Sequence, residues 1–154
     1  MHKHILISTD GSDLSEKAID YGMALAKSVN AKVTVITVSA PFHGLVIKPP
    51  PYTLEQYDEY TKTVAAKYLD LAKTSAKAAG VTCETLHVEH DQPYLAIINT
   101  AARKLCDLIV MASHGRRGVA AIVLGSETVK VLTHSTIPVL VFRAPSYNPL
   151  NVAS

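Results

Sequence analysis

A glycine-bearing segment in the last third of the chain holds the residues best suited to bind an anion. Residues 111–128 read MASHGRRGVAAIVLGSET, with Gly115 and Gly125 on either side of two arginines and a helical pattern starting at Ser126. Glycine lets main-chain N–H groups approach an oxyanion without a Cβ in the way, and the first turn of a helix has unpaired N–H groups at its positive end. The segment therefore predicts an anion site, to which the hydroxyls of Ser126 and Thr128 can add hydrogen bonds.

The histidines and cysteines form no comparable pattern. The HKH run at 2–4 and the HVEH run at 87–90 lie on no predicted helix with a second cluster at ligand spacing, so we expect these histidines at the surface or at strand ends. Cys83 and Cys106 are far apart and lack the close Cys-x-x-Cys spacing of zinc and redox sites. We expect both cysteines to be reduced packing residues, and no metal site built by protein side chains alone.

The elements that must position these residues alternate along the chain. Short β-rich runs are separated by longer amphipathic stretches, which is typical of βαβ units around a parallel sheet. Because connections between parallel strands cross over right-handedly, this order predicts an α/β fold, an open doubly wound, Rossmann-like sheet of five parallel strands in the order 3-2-1-4-5 with helices on both faces. The predicted strands are residues 4–9, 32–38, 83–88, 108–111 and 139–142.

Capping residues and apolar spacing predict where the helices begin, end and face the core. Asp13 with Glu16 can cap the first helix and Asn30 ends it, while Thr53 with Gln56 forms a capping box for the second, which Gly80 ends. Two further helices begin at Pro93 and Ser126. The expected inward residues are Leu14, Ala18, Tyr21, Leu25 and Val29 in the first helix, and Tyr57, Tyr60, Val64, Tyr68, Leu71 and Ala78 in the second.

The reversal of strand order leaves a crevice at the carboxyl ends of the first and fourth strands. The crevice lies near Thr9 and Asp10 on one side and near Met111 and Ala112 on the other, so we expect the site between these two pairs. The proline-containing loop over residues 39–53 cannot be regular structure and could cover it.

Composition limits the class of protein. With 154 residues and 48% hydrophobic content the chain suits one domain with a substantial core, which we expect over residues 1–144, followed by a flexible tail over 145–154. A net charge of +2 with acidic and basic residues interleaved argues against a nucleic-acid partner. No apolar stretch is long enough for a signal-peptide core or a membrane span. We therefore expect a cytoplasmic protein with no nucleic-acid or membrane partner.

The ILISTDGS run at 5–12, the segment at 111–128 and the PVLVFR run at 138–143 together resemble the universal stress protein family, over nearly the whole chain. The resemblance implies binding of an adenine nucleotide, ATP or else AMP or cyclic AMP, with Mg²⁺ accompanying ATP through its phosphate oxygens. It also implies a homodimer joined through the final strand, whose exposed edge favours a partner. The candidate interface residues are Val139, Val141 and Phe142.

One position departs from the family's nucleotide-binding motif, which is glycine, two residues, glycine, nine residues, then glycine with Ser or Thr. Gly115, the nine residues 116–124, Gly125 and Ser126 match it, whereas Ala112 stands at the first glycine position. If that position requires a positive φ, alanine costs on the order of 1 kcal/mol; in an extended conformation it costs little.

The resemblance also implies roles for particular residues. Asp10 would face the ribose, Val38 would pack on the adenine, and residues 113–116 would wrap the sugar and phosphates. The first turn after Gly125 would hold the phosphates. The full set of implied nucleotide-binding residues is Ser8, Thr9, Asp10, Val38, Met111, Ala112, Ser113, His114, Gly115, Arg116, Gly125, Ser126, Glu127 and Thr128.

The sequence contains no Walker lysine motif, no dinucleotide glycine fingerprint and no Gly-x-Ser-x-Gly elbow. We therefore expect a nucleotide-binding stress or regulatory protein that acts as a ligand-dependent switch, with little or no hydrolysis. Two alternatives stay open. One, suggested by alanine at the first glycine position of the motif, Ala112, is a dimeric partner-binding stress protein that does not bind nucleotide. The other is an enzyme that transfers phosphoryl groups with Asp10 and His114. An unidentified regulatory protein is a further candidate partner.

Overall fold

The computed structural model describes residues 1–42, 53–115 and 124–143. Its strands are β1 (His4–Ser8), β2 (Lys32–Ser39), β3 (Cys83–Glu89), β4 (Leu108–Ala112) and β5 (Val139–Phe142). Its helices are α1 (Asp13–Val29), α2 (Leu54–Ala79), α3 (Pro93–Arg103) and α4 (Ser126–His134). The strands form one parallel sheet in the order β3-β2-β1-β4-β5, which confirms the predicted fold.

Strand β1 lies in the middle of the sheet and is buried because helices cover both faces. Ile5 and Ile7 pack with side chains of α1 and α2, whereas Leu6 packs with side chains of α3 and α4. All three are 0% exposed. Since successive strand residues face opposite sides of a sheet, an unbroken apolar run is the pattern expected for burial on both faces. Each such side chain stabilises the fold by roughly 1.5–3 kcal/mol through burial.

Local capping signals begin and end α1 and α2. The N-cap of α1 is Ser12, whose hydroxyl accepts from the Ser15 amide at 3.2 Å, so the prediction of Asp13 was one residue late. Asp13 is instead the first helical residue, where its negative charge interacts favourably with the positive end of the helix dipole. The other predicted caps are confirmed: the Thr53–Gln56 capping box, and the left-handed residues Asn30 and Gly80 with φ of 57° and 71°.

The predicted inward faces of α1 and α2 are wrong in part, because small residues rather than large ones lie against the sheet. Tyr21, Tyr60 and Leu71 are 45%, 60% and 43% exposed. A Cβ on Gly22 would come within 2.5 Å of the Ile7 side chain, so α1 lies too close to β1 for a larger residue there. The buried helix residues are Leu14, Ser15, Ala18, Ile19, Gly22, Met23 and Ala26 in α1, and Ala65, Leu69, Ala72 and Ala76 in α2. Of the other predicted inward residues, Leu25, Val29, Tyr57, Val64 and Tyr68 are half-buried and Ala78 is exposed.

A buried polar network surrounds His4 at the amino-terminal edge of the sheet. His4 is 7% exposed, its Nδ1 lies 3.0 Å from the Lys104 carbonyl, and its Nε2 lies 2.7 Å from the Thr34 hydroxyl. Because a carbonyl only accepts, Nδ1 donates to Lys104, and Nε2 accepts from Thr34. Burial, together with the nearby charge of Lys32, lowers the pKa of His4 below its ordinary value of 6.5. His4 is thus a strand-end residue, as expected, but a buried and neutral one.

The cysteines are free thiols, with Cys106 buried and Cys83 half-buried. Burial raises the pKa of Cys106 to about 11, which suits the packing role expected of it. In the described parts of the chain, no helix is both long enough and apolar enough to span a membrane. Most of the predicted loop, residues 43–52, and the whole predicted tail, 145–154, lie outside the described residues.

The His4 network predicts a loss of stability in mildly acidic solution. As the pH falls below 6.5 the unfolded chain takes up a proton at His4, whereas the folded chain does so only at its lower folded pKa. The free energy of unfolding should therefore fall across this interval, and more steeply in the wild type than in His4→Gln. Urea denaturation at about pH 7.5 and about pH 5.5 measures the difference. His87→Gln, which removes an exposed histidine, is the control, and a slope in His4→Gln equal to that of the wild type contradicts the assignment.

Candidate functional site

A cleft of about 590 Å³ opens at the carboxyl edge of the sheet, at the ends of β1 and β4. The strand order reverses at this point, so the cleft lies where the topology predicts a crevice. Its volume falls within the range of about 300–1,000 Å³ that is typical of small-molecule sites. The described residues that line it are Ser8, Thr9, Asp10, Ser15, Ile36, Val38, Pro93, Ile97, Met111, Ala112, His114, Gly115, Leu124, Gly125, Ser126, Glu127 and Thr128.

The cleft brings together all but two of the residues implied by the family resemblance. Ser113 is buried and is not among the lining residues, and Arg116 lies outside the described residues. Strand alternation could have pointed to Ile36, which shares a face with Val38 two residues later. No sequence signal points to the α3 residues, because their place beside the cleft depends on how that helix packs. The lining residues missed from the sequence are Ser15, Ile36, Pro93, Ile97 and Leu124.

The floor of the cleft is apolar and is part of the core. Ile36 and Val38 come from β2, Met111 from β4 and Ile97 from α3. Ile36 is 0% exposed, and Met111 and Ile97 are each 5% exposed. All four belong to or pack against the core cluster around Leu6, so the core holds them in place. A fixed apolar surface of this kind suits a flat aromatic ligand group.

Thr9 and Asp10 turn the chain from β1 into α1. The Thr9 amide donates to the Ile36 carbonyl at 2.9 Å, and the Thr9 hydroxyl lies 3.0 Å from the Ser15 hydroxyl. Thr9 is 5% exposed, so its side chain stabilises the turn from inside the protein. Asp10 is exposed, and its Oδ1 accepts from the Ser12 amide at 3.0 Å, which makes it an Asx-turn residue that also lines the cleft.

Gly115 allows the loop after β4 to pass close to Asp10. A Cβ built on Gly115 would overlap Oδ2 of Asp10. The φ of Gly115 is not positive, so a side chain there is opposed by the Asp10 carboxylate and not by the backbone conformation. The Asp10 carboxylate therefore lies against the main chain of the opposite wall, and the two walls of the cleft meet at this contact.

Ala112, which stands where the family motif has its first glycine, lies in an extended strand. It is opposite Phe142 in the β4–β5 ladder and is not among the residues with positive φ. Its side chain is 8% exposed and packs with Leu14 and Ala18 of α1. Of the two conformations considered from the sequence, the extended one is present, and alanine costs little there.

Hydrogen bonds tie the end of β4 to both β5 and α4. The Ser113 amide donates to the Phe142 carbonyl at 2.8 Å, and the Ser113 carbonyl accepts from the Gly125 amide at 2.6 Å. The Thr128 hydroxyl donates to the Ala112 carbonyl at 2.9 Å. The sequence predicts this hydroxyl as a ligand contact, but its proton is already donated within the protein.

The first turn of α4 presents unpaired main-chain donors at the cleft. Gly125 is the N-cap and has no side chain to cap the helix. Within the described residues, the amides of Ser126, Glu127 and Thr128 have no hydrogen-bond acceptor. Uncapped amides at the positive end of a helix form an anion-binding site.

Glu127 links the N-termini of α3 and α4. Its Oε2 accepts from the Tyr94 amide at 3.0 Å, and its Oε1 lies 3.5 Å from the Lys130 ammonium. Gln92, the N-cap of α3, makes no side-chain capping bond, so Glu127 serves as the cap of α3 from a distance. This role could not be read from the sequence, since 33 residues separate Glu127 from Tyr94.

Among the described residues that line the cleft, the ionisable side chains are mainly acidic. Asp10 and Glu127 carry carboxylates, and His114 is the one described lining residue that can become a cation. The Ser113 hydroxyl lies 3.2 Å from Nδ1 of His114, but Ser113 is 3% exposed and does not line the cleft. The described residues contain no group of three or more side chains that could hold a metal ion. The arrangement therefore favours binding through main-chain dipoles over catalysis by side chains.

The candidate interface residues lie on β5, at one edge of the sheet. Among the described residues, β5 pairs with β4 on one side and has no strand on the other. Val139 packs against the α3–α4 side of the core, and the Phe142 ring centre lies 5.5 Å from that of Tyr21. Val141 is half-buried and belongs to none of the described core clusters. The homodimer itself stays a prediction.

Comparisons with known proteins agree with the fold. The model of the universal stress protein family matches residues 1–143. The universal stress protein YxiE of Bacillus subtilis is 35% identical over 150 residues, which cover 93% of this chain and all of YxiE. Among solved structures, the protein MJ0577 has a TM-score of 0.80 and 26% identity, over 96% of this chain and 99% of that one. A universal stress protein in complex with cyclic AMP has a TM-score of 0.66 and 28% identity, over 91% and 95% of the two chains.

The contact between Gly115 and Asp10 predicts a pattern of stability. Gly115→Ala introduces a Cβ into the space of the Asp10 carboxylate, and overpacking of this kind costs about 1–3 kcal/mol. Because the Asp10 side chain is exposed and can move aside, we expect the free energy of unfolding to fall by an amount near the lower limit of this range. In an Asp10→Ala background the decrease should be much smaller. A double-mutant cycle on the free energy of unfolding measures the coupling. Equal losses in both backgrounds would mean that Gly115 is needed for another reason.

Proposed function

Because the chain belongs to the universal stress protein family, we propose that its cleft binds an adenine nucleotide and that the bound state acts as a signal in a stress response. The observation that carries this proposal is the uncapped N-terminus of α4 beside an apolar floor. The related universal stress protein that was solved with cyclic AMP, 28% identical to this chain, supports the same class of ligand here.

In the proposed complex the adenine lies on Val38 and Met111, and Asp10 accepts hydrogen bonds from the ribose hydroxyls. The phosphates lie at Gly125 and the first turn of α4. The helix dipole contributes about 0.3–1 kcal/mol and each charge-assisted hydrogen bond about 1.5–3 kcal/mol. Several of these together are sufficient for micromolar affinity, about −8 kcal/mol, after the costs of association.

We propose ATP as the main ligand, with AMP and cyclic AMP as the other candidates. Mg²⁺ would arrive on the phosphate oxygens, since the described part of the chain offers no cluster of metal-binding side chains. Turnover should be slow, because the sequence contains no Walker lysine motif and the hydroxyl that lies beside His114, that of Ser113, is buried away from the cleft. The alternative of a partner-binding protein without nucleotide was suggested by Ala112, and the extended backbone at Ala112 weakens that argument.

Main-chain hydrogen bonds connect the cleft to β5 and could carry the proposed signal. The Ser113 carbonyl accepts from Gly125 at the N-terminus of α4, and the Ser113 amide donates to Phe142 at the end of β5. Any shift of α4 towards bound phosphate would therefore act on β5 through one residue and two main-chain bonds. We propose that nucleotide occupancy is reported at the β5 edge by this connection.

We expect Gly125→Asp to weaken nucleotide binding more than Gly125→Ala does, without unfolding the protein. Aspartate is a favoured N-cap residue, and the φ of −71° and ψ of 161° are extended backbone that any residue adopts, so the new carboxylate would occupy the amides proposed for phosphate. A Cβ at position 125 would lie 3.2 Å from Cα of His114, and because both variants share this tight contact, Gly125→Ala measures its cost. Isothermal titration calorimetry should show at least about a tenfold loss of affinity for ATP, AMP and cyclic AMP, against retained binding in Gly125→Ala. The melting temperature without ligand should be no lower than that of Gly125→Ala.

Two results would count against the proposal. Wild-type protein that binds none of the three nucleotides at millimolar concentration would remove it outright. If Gly125→Asp binds nucleotide with the affinity of the wild type, the phosphates do not lie at the first turn of α4.

We also propose that the protein forms a homodimer through β5, joined edge to edge. The outer edge of β5 is unpaired within the described residues, and a strand edge with apolar side chains readily pairs with a second copy of itself. Val141 suits a test better than its neighbours, because Val139 and Phe142 pack on their own core.

Val141→Lys should convert the dimer to a monomer, since a lysine on an edge strand opposes pairing by charge and by desolvation. Size-exclusion chromatography with light scattering measures the mass, and the melting temperature of the monomer checks that it remains folded. Leu71→Lys, which changes an exposed leucine of α2 on another surface, is the matched control and should remain dimeric. A wild-type monomer, or a dimer unaffected by Val141→Lys, contradicts the proposed interface.

A further inference from the structure

The ring of Tyr68, a residue of α2, packs on the turn that joins β1 to α1. A Cβ built on Gly11, in that turn, would overlap the Tyr68 ring. Tyr68 is half-buried and lies on the same face of α2 as Ala65 and Ala72, which are 5% and 0% exposed. The ring therefore extends from the packed face of α2 and lies directly against the backbone of Gly11.

Gly11 gives the turn a conformation that its own sequence does not select. Its φ of +77° lies in the left-handed region, which glycine adopts without the steric penalty that other residues meet there. Glycine also populates other backbone regions about as readily, so the residue permits this conformation but does not hold it. Contacts made by the turn must therefore select the conformation.

Buried hydroxyls supply part of this selection. The Gly11 amide donates to the Thr9 hydroxyl at 3.2 Å, and the Ser15 hydroxyl donates to the Ser12 carbonyl at 2.9 Å. Because a hydroxyl has a single proton, the Thr9 hydroxyl must be the donor in its 3.0 Å contact with Ser15. These bonds connect Gly11 through two buried side chains to the N-cap of α1. The Tyr68 ring adds a contact from a second helix.

The same turn carries Asp10 at the cleft. Oδ1 of Asp10 accepts from the Ser12 amide at 3.0 Å, so the direction of the carboxylate depends on the backbone on both sides of Gly11. Asp10 lines the cleft, where the proposed function assigns it to the ribose hydroxyls. A change of conformation at Gly11 would therefore turn the carboxylate away from them.

We infer that Tyr68 is a positioning residue for the nucleotide: by packing on Gly11 it keeps the turn in the conformation that directs Asp10 to the ribose hydroxyls. This inference rests on the proposed function and names a residue of α2 on which ribose recognition depends. Tyr68 is not among the described residues that line the cleft, so the inference assigns it no direct contact with the ligand.

The test compares AMP with dideoxy-AMP, which keeps the base and the phosphate but lacks both ribose hydroxyls, by isothermal titration calorimetry. The ratio of the two affinities reports ribose recognition. Misalignment of a hydrogen bond to a carboxylate should make Tyr68→Ala bind AMP about fivefold more weakly, and dideoxy-AMP less than about twofold. Tyr68→Phe keeps the ring on Gly11 and should keep the ratio of the wild type. In an Asp10→Ala background, Tyr68→Ala should cause no further loss of AMP affinity, because both changes act on one contact.

Tyr60→Ala is the matched control. It makes the same substitution in the same helix, at a tyrosine that is 60% exposed, and should leave both affinities unchanged. The melting temperature without ligand checks that each variant is folded. If Tyr68→Ala is not, Tyr68→Leu takes its place, since leucine keeps apolar bulk without the flat ring, and we expect the same selective loss.

Several results would overturn the inference while AMP binding by the wild type leaves the proposed function standing. They are unchanged AMP affinity in Tyr68→Ala, equal losses for the two ligands, a loss in Tyr68→Phe as large as in Tyr68→Ala, and a further loss in the Asp10→Ala background. Equal affinity of the wild type for AMP and dideoxy-AMP would do the same. If the wild type binds neither ligand, both proposals fail.

Discussion

Burial of β1 and β4 on both faces is the constraint on which the site depends. Ile7 and Val110 are enclosed on the α1–α2 side of the sheet, and Leu6 and Ile109 on the α3–α4 side. A shift of either strand by one residue would exchange these faces and set each side chain against the wrong helices, so close packing on both faces, and not the apolar pattern alone, fixes the register. The ends of β1 and β4 therefore lie side by side. The chain then leaves β1 for a helix on one face and β4 for a helix on the other, and the cleft is the space between them.

Main-chain groups, more than side chains, face the position proposed for the ligand. Thr9 and Thr128 were both predicted to lie at the site, and their hydroxyls are bonded to the Ser15 hydroxyl and to the Ala112 carbonyl. Their effect is to hold the turn after β1 and the first turn of α4 in place, with the amides of α4 left unpaired among the described residues. Alanine at 112 suits this arrangement, because the backbone there is extended and the side chain packs with Leu14 and Ala18 of α1.

Features decided by neighbouring residues could be predicted from the sequence. The bounds of β5 and the Thr53–Gln56 capping box are examples, since apolar runs and capping bonds act over a few residues. The inward faces of α1 and α2 could not be predicted in full. Large side chains such as Tyr21 and Tyr60 fit a helical spacing, but the separation of helix and sheet, which selects small residues such as Gly22, is a property of the packed fold.

Contacts between distant segments were also beyond prediction. Pro93 and Ile97 line the cleft only because α3 packs beside α4, and nothing in their sequence context distinguishes them from other residues of an amphipathic helix. The capping of Tyr94 by Glu127 has the same origin. The family resemblance places Glu127 at the site, but it does not indicate where the side chain goes.

The direction taken by the Glu127 side chain also bears on whether the site is open at all. A carboxylate in the first turn of a helix is attracted to that turn's own amides, and bonding there would fill the positions proposed for phosphate. The N-terminus of α3 competes for the same carboxylate, because Pro93 at its start and the uncapped Gln92 leave the Tyr94 amide in need of an acceptor. By accepting from Tyr94, Glu127 leaves the amides of α4 available while keeping its charge close to them. The packing of α3 against α4 thus sets both the availability of the anion site and the negative charge beside it.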